Sequence, residues 1–431
     1  MGIRSLTAAA LAAAALSFPS ASAETLEEAV RAAFRTNPQL GVQRTEAEIA
    51  GEALREARGA RRPRIDVSGS YGYQDITTNQ VFAFGIGEQT VASAQGQLVQ
   101  PIYTGGRISS GIRGARAGVG AADAALDGVG QDTILQTVTA YMDVIRDAES
   151  VRIQENSVSL LEEQQRAARD RFEVGEVTRT DVAQAEAQLA ESRAGLAAAL
   201  AQLEASRAAY AFVVGTPPGE LAPPPPRPAV PDSFEQTVEI ALDQNPDIIA
   251  ARLQEAAAAE AVTTARSTLL PQLSLVGTAA YEETFLEGQQ RTTNFSAIAQ
   301  ATVPLYEGGV LRSQVRSAKL QRESARLQIA TIDRFIRADA ARAWYSHVAA
   351  LRSIEASRSR VEAAEIAYEG SLNELSVGVR TTLDTLDQEQ DLLEARLSLV
   401  SAERDAFVTA YEILRVAGAL DLGLLAGGAA E

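Results

Sequence analysis

The 431-residue chain has no cysteine and a single histidine, His347. Without cysteine there is neither a disulfide nor a lipid-modified N-terminal Cys, and one histidine leaves almost nothing from which to build a transition-metal site or a His-based catalytic triad. Aromatic residues make up only 5% of the chain. Beyond the N-terminal segment, no stretch reaches the roughly 18 consecutive apolar residues needed to cross a bilayer as a helix. Basic residues are also scarce: 39 Lys plus Arg face 56 Asp plus Glu, for a formal net charge of −17. So acidic a surface repels phosphate, which argues against nucleic acid as a partner. The sequence shows no nucleophile elbow and no phosphate loop; "TGGR" and "EGGV" are glycine pairs at junctions, not phosphate cradles. These absences point away from an enzyme and away from any cofactor or metal.

What is present begins with "MGIRSLTAAALAAAALSFPSASA", residues 1–23: a basic start at Arg4, an apolar run from Leu6 to Leu16 and an A-x-A end at Ala21 to Ala23. That is the pattern of a cleaved secretory signal. Its removal takes away Arg4, leaving 38 basic against 56 acidic residues, a net of −18.

The remainder is a duplication. "LEEAVRAAFRTNPQL" at 26–40 matches "FEQTVEIALDQNPDI" at 234–248, each with an Asn-Pro pair (Asn37-Pro38, Asn245-Pro246). "QLVQPIYTGGRI" at 97–108 matches "QATVPLYEGGVL" at 300–311, and "FEVGEVTRTDV" at 172–182 matches "LSVGVRTTLDT" at 375–385. One unit of about 200 residues is used twice. Two units are expected, 24–214 and 233–420, joined by a linker at 215–232 and followed by a tail at 421–431. Residues 215–231 hold eight of the fifteen prolines, so the linker is neither helix nor central strand but a stiff spacer.

Each unit carries two extended segments, expected at about 64–74, 90–103, 272–282 and 292–306. Val67, Gly69, Tyr71 and Tyr73 alternate with Asp66, Ser68, Ser70 and Gln74, and Leu273, Leu275, Gly277, Ala279 and Tyr281 repeat the first face. Ala92, Ala94, Gly96, Leu98 and Ile102 correspond to Phe295, Ala297, Ala299, Ala301 and Leu305. One greasy and one wet face on strands of this length is the signature of a transmembrane β-barrel. Four strands cannot close one, and open edges in lipid leave backbone groups unpaired at several kcal/mol each. The barrel must be shared between chains: two would reach eight strands, three twelve, and the pattern does not choose between them.

Helical hairpins are expected at about 106–214 and 309–419. Gly106 to Val174 and Gly309 to Val377 are proline-free, long enough for helices of roughly 100 Å. Leu383, Leu386, Gln390, Leu393, Leu397, Val400, Arg404, Phe407, Tyr411 and Leu414 follow the 3-4 spacing of a coiled-coil seam. The matching positions of the first unit are mostly alanine (Ala183, Ala187, Ala190, Ala194, Ala197, Ala201, Ala208, Ala211), which either lets two helices approach closely or reflects helix propensity alone. At the breaks, Val174-Gly175 and Val377-Gly378 supply a left-handed helix end, and Thr178-x-x-Asp181 and Thr381-x-x-Asp384 restart the chain with a capping box. Each unit thus ends in a hairpin whose tip lies far from its strands.

Taken together, the duplicated Asn-Pro helices, the "PIYTGG" and "PLYEGG" junctions and the two Val-Gly tips resemble the outer membrane efflux proteins typified by TolC, over the whole chain past the signal. The resemblance implies a mainly α fold with a β portion: a homotrimer with a twelve-stranded barrel in outer-membrane lipid, continued by a helical barrel across the periplasm. It implies a passive exit duct for efflux or type I secretion, docked through Val174, Gly175, Thr178, Val377, Gly378 and Thr381 to a periplasmic adaptor and an inner-membrane transporter of the ABC or RND type. It further implies a periplasmic gate in which Asp384 and Asp387 ring the entrance and Arg380 latches to Thr180 and Asp181 of a neighbouring hairpin. Such a ring would bind cations and raise some of its own carboxyl pKa values by like-charge repulsion. Leu375 stands where the family has a gating tyrosine, which implies a looser or differently closed tip. Tyr103 and Tyr306 are expected as interface-belt aromatics, with Gly105, Gly106, Gly308 and Gly309 turning strand into helix. His347 and Trp344 are expected to be packed or interfacial side chains without chemistry. A secreted coiled-coil structural protein or adhesin is the alternative; it accounts for the helices but not for four matched amphipathic strands.

Overall fold

The computed structural model describes residues 23–76, 87–285, 290–421 and 423. The expected signal segment up to residue 22, residues 77–86 and 286–289 between paired strands, and most of the expected C-terminal tail lie outside the described residues. The element order repeats: α1 (Leu26–Thr36), α2 (Pro38–Gly59), β1 (Arg64–Ile76), β2 (Gly87–Tyr103), α3 (Arg107–Glu173) and α4 (Arg179–Val214), then α5 (Phe234–Gln244), α6 (Pro246–Ser267), β3 (Gln272–Phe285), β4 (Gln290–Thr302), α7 (Val310–Ser376) and α8 (Thr382–Ala417).

The Asn-Pro pairs explain why two short helices abut. Asn37 caps α2 by accepting from the amides of Gln39 and Leu40, and Asn245 caps α6 by accepting from Asp247. Pro then sits at the first helical position, where its missing N–H costs nothing. Side chains at these breaks also tie down the ends of the return helices: Thr36 donates to the Val214 carbonyl at 2.6 Å and Asn245 to the Val416 carbonyl at 2.9 Å.

The linker is not a free spacer. Glu24 forms a parallel bridge with Leu221, its amide donating to Glu220 and its carbonyl accepting from Ala222. The Tyr141 hydroxyl lies within hydrogen-bonding distance of both the Glu24 and Ala222 carbonyls, at 3.0 and 2.7 Å, and burial pushes its pKa up to about 12.

The four strands form one antiparallel sheet in the order β1-β2-β3-β4, so β2 of the first unit pairs with β3 of the second. Its register aligns the faces in rows. Ile65, Leu98, Gly277 and Ala297 form one apolar row, and Val67, Gly96, Ala279 and Phe295 the next. Between them, on the other face, run Asp66, Gln97, Thr278 and Ser296. The apolar face is open: Val67 is 81% and Phe295 77% exposed. The outer edges of β1 and β4 have no partner strand among the described residues. β4 ends at Thr302, short of the expected 306, whereas β2 continues to Tyr103 because β3 still pairs with it there. Pro304, which cannot donate to a ladder, falls just beyond the end of β4.

At 67 residues each, α3 and α7 are roughly 100 Å long. α8 buries two faces rather than the single seam read from the sequence. Phe407, Tyr411 and Leu414 join a core with Val138 and Tyr141 of α3, while Ala402 and Ala406 pack with Ala350 and Ile354 of α7. The alanine positions of α4 do not form a buried seam within the chain: seven of the eight are exposed and Ala211 is half-buried. α4 instead turns Leu189, Ser192, Leu203, Ser206 and Tyr210 inward. His347 is buried, its Nδ1 3.0 Å from the Thr409 hydroxyl, and burial lowers its pKa.

Candidate functional site

Both hairpin tips are built from the same backbone device. Gly175 adopts φ +81° and Gly378 φ +76°, a region in which a side chain is strained. In each the glycine amide donates three residues back (Gly175 to Phe172, Gly378 to Leu375) and the next amide five back (Glu176 to Arg171, Val379 to Glu374). This is a Schellman stop, and it satisfies carbonyls the helix end would otherwise leave bare. No atom lies within 4 Å of where a Cβ would stand on either glycine, so backbone conformation, not space, requires glycine there.

The restart is a full capping box. Thr178 amide and hydroxyl both donate to Asp181 Oδ2 (2.7 and 2.9 Å) while Asp181 N–H donates back to Thr178. Thr381 and Asp384 repeat the arrangement, at 3.1 and 2.8 Å. In the single chain, hydrogen bonds from Thr381 hold the Asp384 carboxyl below the usual carboxylate range. That cap opposes the upward shift expected of a carboxylate ring. Asp387 is exposed, one helical turn beyond Asp384.

Arg380 reaches neither Thr180 nor Asp181 within the chain. Its Nε pairs with Glu374 Oε2 at 2.7 Å, across its own tip turn. Glu374 was not singled out from the sequence, and the only signal for it is an acid six residues before an arginine across a known turn. Leu375 is half-buried and Thr180 exposed. The tips end in apolar side chains turned to solvent: Val174 is 72% and Val377 73% exposed.

At the opposite end, Gly105, Gly106, Gly308 and Gly309 all have positive φ. At Gly105 space matters as well, since a Cβ would stand 2.8 Å from that of Leu270 and 2.9 Å from the Ser267 carbonyl. Tyr103 and Tyr306 are both exposed beside these turns.

Between tip and sheet, α3 holds the bundle by charge. Asp143 pairs with Arg404 of α8 at 2.8 Å and with Arg146 at 3.0 Å. Asp147 is buried; burial alone would raise its pKa, but hydrogen bonds from Arg146 and from Ser206 of α4 outweigh it and hold the carboxyl low. Sequence reading missed this cluster because its members lie up to 261 residues apart.

A family model described as outer membrane efflux protein matches residues 29–216 and 237–419. The chain is 34% identical to the outer membrane efflux protein BepC of Brucella suis biovar 1 (strain 1330), covering 96% of this chain and 90% of that protein. It is 26% identical to the outer membrane protein TolC of Vibrio cholerae serotype O1 (strain ATCC 39315 / El Tor Inaba N16961), over 92% and 91%. Among solved structures, the Campylobacter jejuni CmeC outer membrane channel superposes with a TM-score of 0.82 at 18% identity, covering 93% of this chain and 88% of that one.

Proposed function

The chain belongs to the outer membrane efflux protein family, and from that premise we propose that three copies assemble into the passive exit duct of a tripartite efflux or type I secretion machine. The observation that carries this reading is the sheet. Its greasy rows are exposed, its opposite rows polar, and both outer edges open. A copy on each side supplies the missing backbone partners, and three copies give twelve strands. The apolar rows then face lipid and the polar rows the lumen.

The two hairpins continue the duct away from the membrane. Their tips present exposed valines on turns that need no other support, a surface suited to a periplasmic adaptor linked to an inner-membrane transporter. Asp384 and Asp387 lie at the start of α8, on the tip of the second hairpin, where three copies would bring six carboxylates toward one axis. Arg380, paired with Glu374 in the isolated chain, exchanges that partner for Thr180 and Asp181 of a neighbouring hairpin when the tips close.

Purified protein in planar bilayers tests both parts. Trimer-sized particles that conduct ions are expected, with conductance blocked by divalent cations from the tip side. The Asp384→Asn, Asp387→Asn double variant should conduct with weaker block; unchanged block removes the ring, and absence of channels removes the duct.

A further inference from the structure

A cavity of about 570 Å3 lies between residues 153–160 of α3, 365–372 of α7 and 389–396 of α8. All of its lining residues belong to one chain. Glu389 stands about 10 Å along α8 from the tip and is only 4% exposed. Its Oε1 accepts from the Ser157 hydroxyl at 2.6 Å, and that hydroxyl in turn accepts from Ser192 of α4. Oε2 is shielded from solvent and has no hydrogen-bond partner. A buried carboxyl oxygen without a donor costs on the order of 1–3 kcal/mol, which makes it a site in want of one.

The cavity lining carries three acids, Glu365, Glu369 and Glu389, against one base, Arg396, beside the neutral Tyr368, Asn156 and Ser157. Arg396 is the one basic residue of the lining and already pairs with Glu365 at 2.8 Å. Among the described residues no three His, Cys, Asp or Glu side chains come close enough together to hold a metal ion. The remaining walls include Leu160, Leu372 and Leu392, so the cavity joins a donor-hungry acid to apolar surface. Its volume lies in the range of small-molecule pockets.

We propose that this cavity binds a small organic cation with an apolar body: a primary or secondary ammonium that donates to the Glu389 carboxylate while its hydrocarbon part lies along Leu160, Leu372 and Leu392. A charged donor suits this position better than a neutral one, since charge-assisted hydrogen bonds are roughly twice as strong and the pair neutralises a buried charge. Burial holds the Glu389 carboxyl above the usual carboxylate range. The ammonium pairs with the ionised form, so affinity rises as pH passes upward through the titration of this carboxyl while the ammonium stays charged.

Calorimetric titration of 2-phenylethylammonium into the full chain in non-ionic detergent tests this. Saturable binding is expected, with 2-phenylethanol weaker by about tenfold or more. Glu389→Gln, which keeps the Ser157 contact, should lose about tenfold, and Leu160→Trp, which fills the cavity from α3, should abolish binding. On the unaltered protein, affinity should be higher above the pH at which the Glu389 carboxyl ionises than below it. Absence of saturable binding, wild-type affinity in either variant, equal binding of the alcohol, or a flat pH profile would each overturn the proposal. Should a variant change particle size in detergent, the pH profile and the alcohol comparison on the unaltered protein decide.

Discussion

Asn245 donates its side-chain amide to the carbonyl of Val416 across 2.9 Å while its own Oδ1 caps α6, so one buried residue fixes both the start of a short helix and the end of the return helix. Asn37 caps α2 in the first unit, but there the carbonyl of Val214 is taken by Thr36 instead. The duplicated Asn-Pro pairs are therefore unequal. Asn245→Ala should destabilise by about 2 kcal/mol, through the lost cap and the bare buried carbonyl, and Asn37→Ala by about 1 kcal/mol. Denaturant midpoints of the two variants, compared under one condition, check the order.

At the tips, Gly378→Asn should be tolerated and Gly378→Val should not, because asparagine visits the left-handed region and a β-branched residue pays roughly 1–2 kcal/mol there. Since no atom lies near the missing Cβ, membrane assembly should survive in both. An export assay beside a count of trimers in outer-membrane fractions separates docking from folding; loss of trimers in Gly378→Val assigns the turn to folding.

The sheet gives a test at adjacent residues. Val67→Arg puts a charge in the exposed apolar row and should cost about 2–4 kcal/mol if that row lies near the bilayer midplane, whereas Ser68→Arg on the wet face should be close to neutral. Heat-modifiable migration of membrane-extracted protein reads the difference. Equal effects would mean that the greasy rows do not face lipid.

Two buried acids set opposite pH responses. The Glu389 carboxyl is held high, so its contribution to stability is complete below the unfolded pKa and is lost as pH rises through the folded one. Glu389→Gln mimics the protonated form and should gain stability over the wild type as pH rises above the carboxylate range. Asp147 is held low by Arg146 and Ser206, so its contribution is present above the unfolded pKa and is lost as pH falls through the folded one. Asp147→Asn should therefore destabilise at neutral pH and converge on the wild type in acid. Unfolding midpoints across pH for both variants show whether the signs are right.

Much of the fold could be read directly because it is local. The Val-Gly stops, the Thr-x-x-Asp restarts and the Asn-Pro breaks each close hydrogen bonds within a few residues, and period-two alternation marks which strand face is greasy whatever the strand pairs with. Helical spacing also found the Phe407, Tyr411 and Leu414 seam of α8. It did not find the second face of that helix, whose alanines look like helix propensity until α7 is laid against them.

Composition, the duplication, the turn chemistry and the amphipathic strands follow from the sequence alone, because each is written in neighbouring residues. Only the tertiary structure decided that β2 joins β3 across the two units, that Arg380 meets Glu374, and that Glu389 is buried against Ser157 with one oxygen bare. Ser157 and Glu389 are 232 residues apart. Burial depends on what packs against a side chain, and no spacing rule along one helix says which face of a distant helix will come to cover it.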